Sequence, residues 1–253
     1  MKAKKSLGQN FLQDEGVINS IVKIIHPQVA EKIIEIGPGQ GAITQYLQAS
    51  GANLQLIELD TDLIPLLQQQ FGQCDNVVIH HMDALKLKLE EGPYKVVGNL
   101  PYNISSPLLI NMLYQFKQIK QMVFMLQKEV VQRICAEPGQ KLFGRLSVMM
   151  QHRFDCSSHL DIPPTAFIPE PKVDSQIVQL IPKEKPTEVP LKNLELLVKQ
   201  AFAMRRKTIR NNLKKIITDE QLQQAGIDPG QRPETINVSQ YEQLAIMFKQ
   251  DAD

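Results

Sequence analysis

The feature that most constrains this chain is a glycine turn, Glu35-Ile36-Gly37-Pro38-Gly39-Gln40-Gly41, set between a β-rich run and an amphipathic helical run. Glycines at such a junction permit tight backbone geometry and let a ligand come close to the main chain. The surrounding sequence repeats the same strand–turn–helix unit. Lys32–Ile36 reads as a strand, and Ala42–Ala49 as a helix through Ile43, Tyr46 and Leu47, ended by Gly51. Leu54–Leu59 is the second strand, and Asp60–Phe71 a helix with Leu63, Ile64, Leu66 and Leu67 on one face. Val77–His81 and Lys95–Gly98 are the third and fourth strands. Ser106-Pro107 then opens a helix to about Phe116, with serine as cap and proline at the first helical position. Met122–Leu126 is a fifth strand, followed by the amphipathic run Lys128–Ala136. This alternation predicts an α/β fold, Rossmann-like, with a mainly parallel sheet covered on both faces.

Phe154–Ile162 and Val173–Ile181 read as two further strands. The segment Pro182–Pro190 is charged, rich in proline and poor in groups to bury, as a linker is. From Leu191 to Phe248 the periodicity is helical, broken at Gly226–Gly230. The predicted organisation is an α/β domain over residues 1–183 and a small all-helical domain over residues 184–253.

With 43% hydrophobic and 22% charged residues, the composition is that of a soluble globular protein. No apolar run reaches the roughly 18 residues of a membrane helix, and the basic start lacks the apolar core of a secretory leader. A cytoplasmic protein is expected. Cys74, Cys135 and Cys156 are far apart, and the pair His80-His81 has no further ligands at workable spacing, so neither a disulfide framework nor a metal site is expected. The net charge of +1 is uninformative, but its distribution is not. Lys2, Lys4 and Lys5 cluster at one end, and Lys199 to Lys215 holds seven basic residues and no acidic one. Arg205, Arg206, Lys207, Arg210 and Lys214 are therefore candidates for phosphate contact, which needs local rather than net charge.

Glu58 stands nineteen residues after Gly39, at the end of the second strand. A carboxylate there can accept hydrogen bonds from both hydroxyls of a ribose, which points to an adenosine-type cofactor across the sheet's C-terminal edge. The turn leaves two cofactors open. Gly37-x-Gly39-x-Gly41 resembles the turn of S-adenosylmethionine-dependent methyltransferases, while Gly37-x-Gly39-x-x-Ala42 fits the looser dinucleotide fingerprint. Asp83, after the third strand, resembles the methyltransferase position that bonds the adenine amino group.

Asn99-Leu100-Pro101-Tyr102 follows the fourth strand directly and resembles the Asn/Asp-Pro-Pro-Tyr/Phe element of enzymes that methylate exocyclic amino nitrogens. The lone pair of adenine N6 is delocalised into the ring, so the nitrogen is planar and a poor nucleophile. The Asn99 oxygen and a backbone carbonyl of the tetrapeptide can accept its two N–H bonds and free that lone pair, and in-line placement supplies much of the rest. Pro101 stiffens the loop, and Tyr102 can stack on an extruded base.

Lys5-Ser6-Leu7-Gly8-Gln9-Asn10-Phe11-Leu12, the glycine turn, Glu58, Asp83, Asn99–Tyr102, Phe167-x-Pro169-x-Pro171-x-Val173-x-Ser175 and Arg205–Arg210 occur in that order over nearly the whole chain. The set resembles the ribosomal small-subunit (16S) rRNA adenine N6,N6-dimethyltransferase family. The resemblance implies that Asn10 and Leu12 lie over the cofactor, Gly37 and Gly39 beside its methionine part, Glu58 on its ribose, Asp83 on its adenine and Asn99 near the reacting methyl. It implies that Phe167 packs on the target base opposite Tyr102. The implied substrate is two adjacent adenines of the 3′-terminal hairpin loop of small-subunit rRNA in a pre-30S particle, modified by a monomer. Relatives that methylate large-subunit rRNA share the core motifs, and a methyltransferase for large-subunit rRNA or DNA is an alternative those motifs leave open. An NAD-dependent oxidoreductase and a non-catalytic assembly factor are the further alternatives. The N-terminal segment Lys2–Leu12 is expected to be a flap that is mobile without ligand.

Overall fold

The computed structural model describes residue 4 and residues 7–101, 104–204 and 206–248. Of the residues singled out above, Lys2, Lys5, Tyr102 and Arg205 lie outside these, and so does most of the expected flap up to Ser6. A two-residue strand β1 (Phe11–Leu12) and a helix α1 (Glu15–Ile25) precede the first expected strand. Then come β2 (Lys32–Ile36), α2 (Thr44–Ala49), β3 (Asn53–Glu58), α3 (Ile64–Phe71), β4 (Val77–His81), β5 (Tyr94–Asn99), α4 (Ser105–Tyr114), β6 (Ile119–Gln127), α5 (Lys128–Cys135) and α6 (Arg145–Arg153). After β7 (Phe154–Ile162), β8 (Phe167–Ile168) and β9 (Ser175–Pro182), the chain ends in α7 (Leu191–Ala201), α8 (Ile209–Leu213), α9 (Asp219–Gln224) and α10 (Val238–Met247).

Seven strands form one sheet in the order β4-β3-β2-β5-β6-β9-β7. The run from β4 to β6 is parallel, and β9 is antiparallel to β6. The mainly parallel α/β fold expected from the sequence is therefore found. β2 and β5 are buried along nearly their whole lengths, as central parallel strands covered on both faces must be. From β2 the chain steps outward through β3 to β4, then returns to the other side of β2 as β5. Ligands of open α/β sheets bind beyond the strand C-termini at that reversal, and here those ends are Ile36 and Asn99.

Four local expectations are corrected. α4 begins at Ser105 with Ile104 as its cap residue and no side-chain cap bond, so Ser106 and Pro107 lie inside its first turn. α3 begins at Ile64 rather than Asp60, because the Asp60 carboxylate accepts the Asp62 N–H and holds a turn there instead. α2 begins at Thr44, two residues after Ala42, because the glycine turn runs on to Ile43. The segment before α7 is not bare: Val189 is buried, and the Arg153 guanidinium donates to the carbonyls of Thr187 and Val189.

α1 shows how a buried charge can serve the fold. Its apolar face (Val17, Ile18, Ile21, Ile25) enters the core, and its last carbonyls would be orphaned there. Lys95 Nζ, on β5, donates to the carbonyls of Ile25 at 2.9 Å and His26 at 2.7 Å and pairs with Glu31 at 2.7 Å. A cation at a helix C-terminus is favoured by the helix dipole as well.

The chain divides into two compact units, Met1–Val131 with Ser157–Pro182, and Gln132–Cys156 with Lys183–Asp253. A boundary falls next to the expected 183/184 break, but Gln132–Cys156 joins the second unit rather than the first. The bonds that do this are local to that unit. Arg145 pairs with Glu195 on α7, buried His152 bonds Glu242 on α10 at 2.7 Å, and the Arg153 guanidinium donates to the carbonyls of Thr187 and Val189.

Candidate active site

The glycine turn, the ends of β3, β4 and β5, and β1 enclose one cleft in the first unit. Gly37, Gly39 and Gly41 all have positive φ, between 60° and 85°, which only glycine adopts cheaply. Space matters as well at Gly39, where a Cβ would sit 3.2 Å from the Phe11 ring. Gly37 N donates to Ile57 O at 2.9 Å, so the turn is tied to the strand that carries Glu58.

Glu58 is 6% exposed, and its carboxylate is held by backbone. Oε1 accepts the N–H groups of Leu59 and Asp60 at 2.8 Å each, and Oε2 the N–H of Gly39 at 3.4 Å. A carboxylate has about four acceptor sites, so Oε2 keeps capacity for a hydroxyl donor. Burial raises the Glu58 carboxyl above its ordinary range, against these three N–H groups, which lower it. Asp83 caps a short turn through Leu85 N at 2.9 Å, and its other oxygen makes no hydrogen bond among the described residues.

The edge that carries Asn99 meets the N-terminal segment. Asn99 Nδ2 donates to the Asn10 carbonyl at 3.0 Å, which fixes the side-chain amide and leaves Oδ1 on its opposite edge. β1 pairs antiparallel with β8, with Leu12 opposite Phe167 and Phe11 opposite Ile168. Two segments 155 residues apart in the chain thus close one wall. Of the residues singled out from the sequence, Asn10, Leu12, Gly37, Gly39, Glu58, Asp83, Asn99, Leu100, Pro101 and Phe167 all line this cleft. Leu12 and Phe167 are also core residues, 5% and 2% exposed, so they present little surface to a ligand. Tyr102 lies outside the described residues, so its position opposite Phe167 is not described.

Sequence reasoning does not single out Glu35, which lines the cleft at 2% exposure. Its Oε2 accepts the Thr44 hydroxyl at 2.7 Å. Burial above all pushes the Glu35 carboxyl up to about 7; the Thr44 bond lowers it and nearby Glu58 raises it. Only the burial of β2 on both faces reveals this, and a sequence motif does not carry that signal.

The cleft wall therefore holds three carboxyl groups, Glu35, Glu58 and Asp83, and no lysine or arginine among the described residues. Such a wall favours a ligand with positive charge and opposes the two negative charges of a dinucleotide pyrophosphate. The residues fit a sulfonium-bearing adenosine and fit NAD poorly. No cluster of metal-binding residues occurs among the described residues, and among the same residues no helix is long and apolar enough to cross a membrane.

The basic candidates belong to the second unit. Arg206, Lys207, Arg210 and Lys214 are all exposed: Arg206 and Lys207 precede α8, Arg210 lies on it and Lys214 follows it directly. Arg210 differs from the others because Asp219 holds its guanidinium at two points, 2.6 and 2.9 Å. Arg205 lies outside the described residues.

The model of the family described as Ribosomal RNA adenine dimethylase matches residues 1–250. The chain is 46% identical over 252 residues to the Ribosomal RNA small subunit methyltransferase A of Pseudomonas fluorescens, covering 96% of this chain and 93% of that protein. Among solved structures, a dimethyladenosine transferase from Plasmodium falciparum aligns with a TM-score of 0.82 at 23% identity, over 92% of this chain and 95% of the other. The 23S rRNA methyltransferase ErmE aligns with a TM-score of 0.76 at 24% identity, over 95% of this chain and 100% of the other.

Proposed function

The chain belongs to the ribosomal RNA adenine dimethylase family, and from that premise we propose that it uses S-adenosylmethionine to dimethylate N6 of two adjacent adenines in the 3′-terminal hairpin loop of small-subunit (16S) rRNA. The target is the rRNA of a pre-30S particle, the enzyme acts as a cytoplasmic monomer, and the modification is a step in small-subunit biogenesis. The first unit carries the chemistry, and the helical unit, with Arg205, Arg206, Lys207, Arg210 and Lys214, meets rRNA phosphates. The observation that carries the reading is the pinned amide of Asn99 beside an acidic adenosine cleft.

When bound, S-adenosylmethionine supplies an electrophilic methyl on a sulfonium that is its own leaving group. Glu58 Oε2 accepts from the ribose hydroxyls, the second oxygen of Asp83 accepts from the adenine amino group, and Gly37 and Gly39 admit the methionine part. Asn10 and Leu12 close the cleft from above. Asn99 Oδ1 accepts one N–H of the target amine and a carbonyl of the Asn99–Tyr102 loop the other. Those bonds turn the nitrogen lone pair away from the ring and toward the methyl. The interaction strengthens as the nitrogen becomes tetrahedral, so it lowers the barrier rather than only tightening binding. Pro101 and Leu100, 1% exposed, keep the loop rigid, Tyr102 stacks on the base, and Phe167 backs the wall behind it.

Asn99→Ala tests this assignment. Methyl transfer to immature small subunits should fall about 100-fold or more, while calorimetry still finds S-adenosylmethionine bound. Normal transfer by the variant would refute the role of Asn99, and tight binding of NAD by the unaltered protein would refute the cofactor.

A further inference from the structure

One carboxylate near the cleft does not line it and still organises it. Asp60 is 2% exposed and stands two residues after Glu58, to whose Oε1 its own N–H donates at 2.8 Å. Its side chain faces the N-terminal segment. Lys4 Nζ bridges Asp60 Oδ1 and, at 2.7 Å, Asp62 Oδ2. Gln9 Nε2 donates to Asp60 Oδ2 at 2.7 Å, and Gln9 Oε1 accepts the Lys4 N–H at 2.8 Å. Asp60 Oδ1 also accepts the Asp62 N–H at 3.0 Å. Burial by itself would raise the Asp60 carboxyl, but the bonds from Lys4, Gln9 and the Asp62 N–H outweigh it and hold the group below its ordinary range.

The segment that begins at Lys4 is thus fastened at two places. At one end, Lys4 and Gln9 are tied to Asp60. At the other, Asn10 O is tied to Asn99, and Phe11–Leu12 to β8. Leu7 to Leu12, the stretch that carries Gln9 and the second anchor, lines the cleft. We propose that Asp60 is a positioning residue for the cofactor: through Lys4 and Gln9 it latches the cleft-lining stretch Leu7–Leu12 beside Glu58 without touching the cofactor itself. The inference rests on the S-adenosylmethionine reading above.

The pattern of donors and acceptors makes the latch testable. Gln9 is held at both ends of its amide, with the nitrogen toward Asp60 and the oxygen toward the Lys4 N–H. It cannot flip without losing a partner. Asp60→Asn sets a donor against the Gln9 nitrogen. Gln9→Glu sets an acceptor against the Asp60 oxygen. Each leaves a polar group of the latch unsatisfied, which is more expensive than the mere absence of a bond. Combining the two restores the match, with an amide at 60 donating to a carboxylate at 9 that still accepts from Lys4 N.

The experiment is calorimetric titration of S-adenosylmethionine into the full chain and into Asp60→Asn, Gln9→Glu and the double variant, alongside tryptic trimming after Lys4 followed by mass spectrometry. Each single change should weaken binding about tenfold and speed trimming. The double variant should return to within about threefold of the unaltered protein on both readouts. A contact that only supports the fold would leave the affinity of the folded single variants for S-adenosylmethionine unmoved. Single variants that bind as tightly as the unaltered protein, or a double variant weaker than either, would overturn the latch. Should Asp60→Asn not fold, Gln9→Glu decides alone, since it sits on the segment and not in the core: unchanged affinity overturns the proposal. An unaltered chain that binds no S-adenosylmethionine would overturn the cofactor reading itself, which separates the two failures.

Discussion

Burial holds the Glu35 carboxyl near 7, with Thr44 lowering it and Glu58 raising it. An exposed glutamate titrates at about 4.3, so between those values the folded chain binds more protons than the unfolded one. The contribution of Glu35 to stability therefore falls as pH rises through roughly 4.3 to 7 and is level on either side of that window. Glu35→Gln keeps an acceptor for the Thr44 hydroxyl and removes the buried charge. At pH 8 it should stabilise the protein by roughly 1–3 kcal/mol, with the gain vanishing near pH 4. Urea unfolding at the two pH values checks this, and a gain equal at both would show that ionisation is not its source. Glu35 also shows the limit of reading residues one at a time. Gly37, Glu58, Asp83 and Asn99, which all line the cleft, are legible in the sequence because each stands at or just after the end of a strand. Glu35 and Asp60 stand beside such positions, but what they do depends on burial and on partners as far away as Lys4.

Among the elements, four of the five parallel strands were legible to within one residue, and the fifth, expected over Met122–Leu126, begins three residues earlier at Ile119; apolar runs between glycines and caps leave few other assignments. β1 and β8 were not legible, since two residues have no periodicity and their pairing joins positions 155 residues apart. One requirement of the sheet lies in Gly98, on β5 opposite Ile36. A methyl at Gly98 would overlap the Ile36 carbonyl oxygen, and that neighbour is backbone, which cannot turn aside as a side chain can. Gly98→Ala should destabilise the chain by about 3 kcal/mol or more, at the upper end of overpacking effects, and should shift Asn99, the next residue. The measurement is a thermal melt with calorimetry of S-adenosylmethionine. An unchanged melting temperature would mean that β5 can move away from β2 at little cost.

At the scale of the whole molecule, the second unit supplies an exposed basic surface that the composition showed only as a local excess of charge. Its extent was not legible, because Gln132–Cys156 reads as a continuation of the α/β pattern and is drawn into the helices by His152 and Arg145 through long-range bonds. Each phosphate contact removed should lower the slope of log affinity against log salt by about one. Lys207→Ala and Lys214→Ala are each expected to do so in binding to immature small subunits. Arg210→Ala should lower it less, because Asp219 already neutralises that guanidinium; an equal effect from Arg210 would show that the pair opens on binding. The proposed function specifies one reaction at one place in rRNA. Small subunits lacking these methyl groups, incubated with the purified protein and S-adenosylmethionine and then mapped nucleotide by nucleotide, test it most directly. The expected product is two adjacent adenines in the 3′-terminal hairpin loop, each carrying two new methyl groups at N6. Methyl groups placed elsewhere, or only on large-subunit rRNA, would contradict it.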